Sequence, residues 1–288
     1  MGPSICFNRI LLATDGSDEA AAAVDATLAF AHGSPAEVRV VHVLNLEIHQ
    51  RHGRRDGEVR IEARQLLDST VDRLRTAGLH AGSAILRADS GHVAAAVAIN
   101  AINFGADLMV IGSRLSNWQA MVDSTVSHQL VATVDCPLLI VRGRRAAVRP
   151  PQRVLLAIAG GEDIGPATHA AMAAASAPGS LVLVVHAADL TAGARGVVYS
   201  VIEDEIQATI ASAIKLIEDA GIAARGVVAH SGRVADVIAR VADMWEVDVI
   251  VAGSSRIGDL VSMVLGSVSR DMLHASVRPV PVAEPVLS

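Results

Sequence analysis

The chain has 288 residues, of which 51% are hydrophobic and 2% are aromatic. Its 30 acidic residues and 24 Lys and Arg residues give a formal net charge of −6 at pH 7. The apolar fraction excludes a largely disordered chain, and the acidic balance argues against non-specific nucleic-acid binding, which needs a basic face. The length predicts two domains, each large enough to bury its own core.

In the first half, short apolar and β-branched runs alternate with segments of helical spacing. The strands are predicted at Ile10 to Ala13, Val38 to Leu44, Ala84 to Leu86, Leu108 to Ile111 and Leu138 to Val141. The helices are predicted from Ser17 to about His32, from Val59 to Leu74 with an end at Gly78, and from His92 to Phe104. Ser17 is the predicted N-cap of the first helix.

The second half repeats the first. Two segments recur 144 residues later: Arg9-Ile-Leu-Leu-Ala13 as Arg153-Val-Leu-Leu-Ala157, and Val40-Val-His42-Val as Val184-Val-His186-Ala. Two more recur 141 residues later: Ser90-Gly91 as Ser231-Gly232, and Ala106-Asp107-Leu-Met-Val-Ile-Gly112-Ser as Val247-Asp248-Val-Ile-Val-Ala-Gly253-Ser. Because the order is kept from end to end, a whole domain is duplicated. We predict domains at 1–147 and 148–288.

Strands separated by helices predict a doubly wound parallel sheet in each half, which makes the chain an α/β protein. The last strand of the second half contains Pro279 and Pro281. Proline lacks the N–H that a ladder needs, so this strand is predicted at or near an edge. The basic stretch from Arg142 to Pro151 is interpreted as a solvated linker in preference to a nucleic-acid contact.

The compartment and the absence of a membrane partner are inferred from the same sequence. Cys6 and Cys136 form neither a disulfide framework nor a Cys-x-x-Cys spacing, which is typical of a reducing cytosol. The N-terminal segment lacks the pattern of a secretory signal. Uninterrupted apolar runs such as Leu181 to Val185 have strand length and are too short to span a bilayer. We therefore expect a cytoplasmic protein without a membrane or nucleic-acid partner.

Ligands of open α/β sheets bind beyond the carboxyl ends of the strands, and three places there have suitable residues. In the turn Ala13-Thr14-Asp15-Gly16-Ser17, the acid could hold a ribose hydroxyl or a phosphate-bound Mg²⁺, or the turn is only a helix cap. After strand 4 of the second half, a glycine-rich turn and the start Gly266-Ser267-Val268-Ser269 could cradle a phosphate.

The third place is the end of strand 2, at His42-Val43 and His186-Ala187, where a backbone edge could read an adenine. We interpret both histidines as satisfied inter-strand residues and not as catalytic bases. The sequence contains no Gly-x-Ser-x-Gly elbow and no Walker Gly-Lys-Ser/Thr motif.

These residues resemble the universal stress protein family. The likeness rests on the Asp-Gly-Ser turn, the strand that ends in His-Val, the Ala-Asp-Leu-Met-Val-Ile-Gly-Ser strand and the Gly-Ser-Val-Ser helix start, and it covers essentially the whole chain as a tandem pair. The resemblance implies two five-stranded α/β sandwiches, Rossmann-like and similar to the adenine nucleotide alpha hydrolase fold. Nucleotide-binding members of that family carry Gly-x-x-Gly, nine residues and Gly-Ser/Thr, and hold ATP.

Neither half keeps the full family motif. The second half has Gly253 and Gly266-Ser267 at the family spacing, but Arg256 replaces the middle glycine and Ala159 replaces the strand-1 acid. The first half keeps Asp15 and Gly112, but it has Leu115 and the pair Ser124-Thr125, one residue short of the spacing. The resemblance therefore implies this nucleotide-binding set, with Asp15 also as the metal ligand: Ala13, Asp15, Val43, Gly112, Ser124, Thr125, Ala187, Gly253, Arg256, Gly266, Ser267, Val268 and Ser269.

The leading functional hypothesis is a stress-response protein that binds ATP or a related adenine nucleotide, with Mg²⁺, weakly and as a regulatory ligand. The alternative is a scaffold whose sites have decayed and which acts through protein–protein association. A third hypothesis is slow ATP hydrolysis assisted by Asp15 and Mg²⁺. The resemblance also implies pairing through the last strands, so we expect an intramolecular pseudo-dimer and further association into a homodimer.

Overall fold

The computed structural model describes residues 5–45, 55–89, 92–113, 126–142, 149–158, 164–188, 197–230, 234–253 and 280–283. The chain divides into two compact units, one from Phe7 to Arg149 and the other from Pro150 onward. The predicted join between residues 147 and 148 falls in 143–148, outside the described residues, so that boundary stays a prediction.

The first unit alternates strands and helices as the sequence predicts. Its elements are β1 (Arg9–Ala13), α1 (Asp18–Phe30), β2 (Glu37–Leu44), α2 (Asp56–Thr76), β3 (His80–Arg87), α3 (Val93–Phe104), β4 (Leu108–Ser113), α4 (Val126–Thr133) and β5 (Leu138–Arg142). The strand order is β3-β2-β1-β4-β5, and every pairing is parallel. The chain builds outward from β1 to β3 and then returns to β4, so the topological switch point lies between β1 and β4.

The second unit repeats this architecture. Its elements are β6 (Arg153–Ile158), α5 (Gly165–Ala174), β7 (Leu181–Ala188), α6 (Val197–Asp219), β8 (Ala223–His230), α7 (Val234–Met244), β9 (Val249–Gly253) and β10 (Val280–Ala283). Strand β6 lies between β7 and β9, again in parallel. The short β10 pairs with β9 through Val282 and Ala283, at one end of the strand order of its own unit. The predicted tandem α/β fold is confirmed.

The middle of the central strand of each sheet is fully buried. Ile10, Leu11 and Leu12 are 0% exposed, and so are their counterparts in β6, Val154, Leu155 and Leu156. Both faces of a parallel sheet are covered, so its strands are continuous apolar runs and not alternating ones. Each such side chain contributes about 1.5–3 kcal/mol of burial free energy. Alanine-rich helices such as α1 pack on these strands. The core is therefore filled by aliphatic side chains and needs few aromatic residues.

One carboxylate ties the start of the central strand in each unit. It belongs to Asp107 just before β4 and to Asp248 just before β9, and two backbone N–H groups donate to it. These N–H groups belong to Asn8 (2.7 Å) and Arg9 (2.9 Å) in the first unit, and to Gln152 (2.9 Å) and Arg153 (3.0 Å) in the second. Asp107 and Asp248 therefore have a structural role in the repeated segment that supports the family resemblance. Among the described helices, none is both long and apolar enough to cross a membrane.

Candidate functional site

The strand register brings three of the predicted site residues to one edge of the first sheet. Ala13 pairs with Val41 on one side and with Ile111 on the other. Val43 and Gly112 therefore lie within two residues of the level at which β1 ends. This is the carboxyl edge beside the switch point, where ligands of open α/β sheets bind.

The turn after β1 is held at both ends by hydrogen bonds. The Thr14 N–H donates to the Val41 carbonyl (2.9 Å), and the Ser17 hydroxyl accepts from the Ala20 N–H (3.2 Å). Ser17 is thus the N-cap of α1, as predicted. Gly16 has a φ of +79°, in the left-handed region that favours glycine. The turn therefore has a defined shape before any ligand binds.

Asp15 is exposed at the centre of this turn. Its Oδ1 atom accepts a hydrogen bond from the Ser17 N–H at 3.0 Å, a short-range bond typical of Asp in turns. The same carboxylate therefore shapes the turn and presents negative charge at the ligand-binding edge. Its proposed contact with a nucleotide or a metal stays a prediction.

Gly112 has a packing role that its motif does not reveal. A Cβ added to it would lie 2.4 Å from the Glu19 carbonyl oxygen and 2.7 Å from the Ala20 nitrogen, so the first turn of α1 packs directly on β4. The sequence predicts only a phosphate contact for this glycine, and that contact stays a prediction. The signal that could have indicated packing is the repeat itself, since Gly253 occupies the equivalent position although other motif residues differ.

The two repeated histidines make the same inter-strand bond. The Nδ1 atom of His42 lies 2.8 Å from the Thr14 carbonyl oxygen, and that of His186 lies 3.1 Å from the Ile158 carbonyl oxygen. A carbonyl only accepts, so Nδ1 carries the proton in both rings. The interpretation of these residues as satisfied inter-strand histidines is confirmed. Each ring fixes the end of the central strand next to the predicted adenine contact.

Three acidic residues lie at or just before the start of α1. Asp15, Asp18 and Glu19 lie within five residues, and acids in a first turn suit the helix dipole. They also repel a phosphate that arrives without a counter-ion. Within the described residues, no group of three or more His, Cys, Asp or Glu side chains is arranged to hold a metal ion. A single carboxylate fits Mg²⁺ that keeps waters and phosphate oxygens as its other ligands.

In the second unit, the same edge brings together the ends of β7 and β9. Ile158 pairs with His186, and Ala157 pairs with Ala252, so Ala187 and Gly253 both lie near this edge. The remaining predicted site residues lie outside the described part of the chain. They are Ser124, Thr125, Arg256, Gly266, Ser267, Val268 and Ser269.

The chain matches one family model twice. The model of the Universal stress protein family matches residues 7–142 and 151–283. A curated relative, Universal stress protein YxiE of Bacillus subtilis (strain 168), is 29% identical over 151 residues, which cover 47% of this chain and 99% of the relative. The relative is about as long as one half of this chain, and the family model matches each half once. These two findings confirm the tandem organisation inferred from the repeats.

Two solved structures are similar over nearly the whole chain. The crystal structure of a universal stress protein from Archaeoglobus fulgidus DSM 4304 has a TM-score of 0.75 at 20% identity and covers 96% of both chains. That of a putative universal stress protein from Pseudomonas aeruginosa UCBPP-PA14 has a TM-score of 0.65 at 18% identity, with 98% of this chain and 95% of the other covered. At these identities the likeness shows the fold alone.

Proposed function

The chain belongs to the universal stress protein family, and we propose that it is a stress-response protein whose first unit binds ATP or a related adenine nucleotide as a regulatory ligand. The observation that carries this proposal is the turn at the switch point. Its backbone is held in place, and Asp15 is exposed at its centre. A preformed polar turn at this edge is the usual location of a ligand in an open α/β sheet.

The adenine would lie at the end of β2. Val43 is half-buried and comes one residue after His42, whose ring is bonded to the end of β1. A backbone held in this way offers N–H and C=O groups in fixed positions, and these can recognise the edge of a purine at little entropic cost. Val43 would therefore contribute through its backbone and not through its side chain.

The phosphates would lie toward α1 and β4. Bound Mg²⁺ would supply positive charge between the phosphates and the acids of this region. Asp15 would hold that ion, and the Asp15 Oδ1 bond to Ser17 keeps the carboxylate in the turn. The acids at the α1 start and the incomplete glycine motif predict weak binding, consistent with a ligand that regulates and is not turned over.

The test is to look for nucleotide in the purified protein and to measure its affinity. Released adenine nucleotide is analysed after denaturation, and ATP–Mg²⁺ is titrated by calorimetry and thermal shift. Asp15→Asn keeps an oxygen for the Ser17 N–H but removes the charge, so it separates the ligand role from the turn. We expect a loss of about tenfold in affinity, or about 1.4 kcal/mol.

The matched control is Asp18→Asn, which removes an equal charge from an exposed acid three residues away. Because the acids at the α1 start weaken binding, this variant should raise the affinity slightly, by less than about twofold, and should not lower it. A wild-type chain that neither contains nucleotide nor shifts its melting temperature with excess ATP–Mg²⁺ would refute nucleotide binding. Phosphate release from ATP that Asp15→Ala abolishes would support slow hydrolysis in addition.

A further inference from the structure

A leucine of helix α2 lies against the turn after β1. A Cβ added to Gly16 would lie 3.3 Å from one methyl group of Leu66 and 3.5 Å from the other, so the leucine borders the place where a side chain of residue 16 would stand. Four other described glycines of positive φ have nothing within 4 Å of that place: Gly33, Gly78, Gly179 and Gly221. Unlike those four, Gly16 is packed on by a hydrocarbon side chain.

Contacts on both sides of Leu66 fix α2 relative to this turn. Three residues earlier, Ala63 is buried in one cluster with Leu44, the last residue of β2. Seven residues later, Arg73 pairs with the largely buried side chain of Asp25 on α1. Helix α2 is therefore attached both to the strand that ends at the predicted adenine contact and to the helix that follows the turn.

The hydrogen bonds of the turn do not fix Gly16 by themselves. The Asp15 bond to the Ser17 N–H is exposed, so water competes for it. The Gly16 N–H donates to Thr14 Oγ1 over 3.3 Å, which is long for such a bond. Glycine also loses more conformational freedom on folding than any other residue. A hydrocarbon group beside it excludes alternative backbone positions, and Leu66 supplies that group.

The second unit does not have this leucine. Helices α2 and α6 align at an offset of 143 residues, because Gly78 and Gly221 follow their ends and both have a positive φ. The residue equivalent to Leu66 is Thr209, whose hydroxyl donates to a carbonyl of its own helix at 2.9 Å. The same unit has an alanine in place of the acid of the turn. The acid and the leucine therefore occur together in one unit and are replaced together in the other.

We propose that Leu66 is a positioning residue of the nucleotide site, and this proposal rests on the proposed function. The packing of Leu66 on Gly16 keeps the turn in the shape in which Asp15 meets Mg²⁺ and the phosphates. Leu66 acts through Gly16 and makes no contact with the ligand. A turn that is ordered before the ligand arrives binds more tightly, because it does not lose conformational freedom during binding.

The first measurement is amide hydrogen exchange of the full chain without nucleotide. Leu66→Ala removes the contact with Gly16, so the hydrogen-bonded amides of Ser17 and Ala20 should exchange about fivefold faster. Leu66→Met keeps the hydrocarbon and should exchange like the wild type. The matched control is Val71→Ala, which removes a buried side chain of the same helix about 7.5 Å further along its axis. It should lower the melting temperature and leave these amides unchanged.

The second measurement is a titration of the same variants with ATP–Mg²⁺. We expect about fivefold weaker binding for Leu66→Ala, and a change of less than about twofold for Leu66→Met and Val71→Ala. Leu66→Thr, which introduces the residue of α6, should behave like Leu66→Ala.

Three results would overturn the positioning role: unchanged amide exchange in Leu66→Ala, an equal loss of affinity in Val71→Ala, or no recovery in Leu66→Met. A wild-type chain that does not bind ATP–Mg²⁺ refutes the proposed function instead. In that case the exchange of the Ser17 and Ala20 amides still decides whether Leu66 holds the turn.

Discussion

The two units of this chain share a scaffold and differ in the turn after the central strand and on the outward side of one helix. Both keep the carboxylate that ties the central strand, Asp107 and Asp248, and the histidine bonded to the end of that strand. They differ in the turn after the central strand, where Asp15 is matched by Ala159. The shared carboxylate and histidine hold the sheet together, whereas the difference between Asp15 and Ala159 lies in the turn that follows the central strand.

In both units an arginine side chain lies over an aromatic ring, but the arginine comes from a different strand in each. An aromatic ring lies at the C-terminal end of the repeated helix: Phe104 is the last residue of α3, and Trp245 comes directly after α7. Arg39 of β2 lies 4.2 Å from the Phe104 ring centroid, and Arg225 of β8 lies 6.0 Å from that of Trp245. The two arginines come from non-equivalent strands. A cation over the ring is therefore present in both units while the strand that supplies it differs.

The largest loss of stability is expected for a substitution of Gly112, the glycine of β4 whose counterpart in the second unit is Gly253. Gly112→Ala should destabilise the first unit by about 3 kcal/mol, because the new methyl group meets the backbone of α1, which cannot rotate away. Chemical denaturation measures this cost. Gly82→Ala in β3 is the control, since its Cβ meets nothing within 4 Å, and it should not destabilise the chain. Equal costs for the two variants would contradict the packing role of Gly112.

A smaller difference in stability is expected between substitutions of Asp107 and Asp248, whose carboxylates accept hydrogen bonds from the start of the central strands. Asp107 uses Oδ1 for Arg9 and Oδ2 for Asn8, whereas Asp248 uses Oδ2 for both of its N–H partners. An asparagine keeps one accepting oxygen, so Asp107→Asn should lose one bond and Asp248→Asn should keep both. We expect Asp107→Asn to cost about 1 kcal/mol more.

The unfolding transition of each unit should be fitted separately, because a chain of two units need not unfold in one step. A larger cost for Asp248→Asn than for Asp107→Asn would contradict the assignment of these bonds.

The role of Asp15 can be tested by moving the acid to the equivalent position of the second unit, Ala159. Ala159→Asp should strengthen ATP–Mg²⁺ binding by the second unit by several-fold, up to about tenfold, if the acid after the central strand holds the ion. The titration is done in an Asp15→Asn background, in which binding by the first unit is weakened. An unchanged affinity would mean that the acid alone does not determine which unit binds.

The smallest effects are expected at ion pairs. Arg73 pairs with Asp25 across α2 and α1, and the Asp25 side chain is only 13% exposed, so Arg73→Ala should cost about 0.5–1 kcal/mol. Lys215 and Asp219 form a pair four residues apart on α6, with both side chains more than 60% exposed. Thermal unfolding should show a clear decrease for Arg73→Ala and none that can be measured for Lys215→Ala.

The pH dependence of the second pair has a defined sign. The hydrogen bond and the charge of Asp219 raise the pKa of Lys215 above its usual 10.5. Any stability from this pair is therefore fully present below pH 10.5 and is lost as the pH rises through the folded pKa. A difference between wild type and Lys215→Ala that grows between pH 6 and pH 9 would contradict this assignment.

Much of the fold could be predicted because its signals are local. The buried runs of β1 and β6, the Ser17 cap and the repeated order of elements are read from neighbouring residues, and the structure confirms them. The site could be predicted only in outline. Asp15 was identified by the turn that it occupies, whereas the packing of Gly112 on α1 depends on a helix about 90 residues away in the chain.

The sequence by itself determined the two copies of a parallel α/β domain and the position of the turn that ends the central strand, because hydrophobic period and turn chemistry act over a few residues. Only the tertiary structure decided that Asp107 ties residues 98 and 99 positions earlier. It also decided that Ile99 and Ile102 face solvent and not the core. The physical reason is that such contacts arise from how helices pack on a sheet, and hydropathy alone does not specify which side of an uncharged helix is buried.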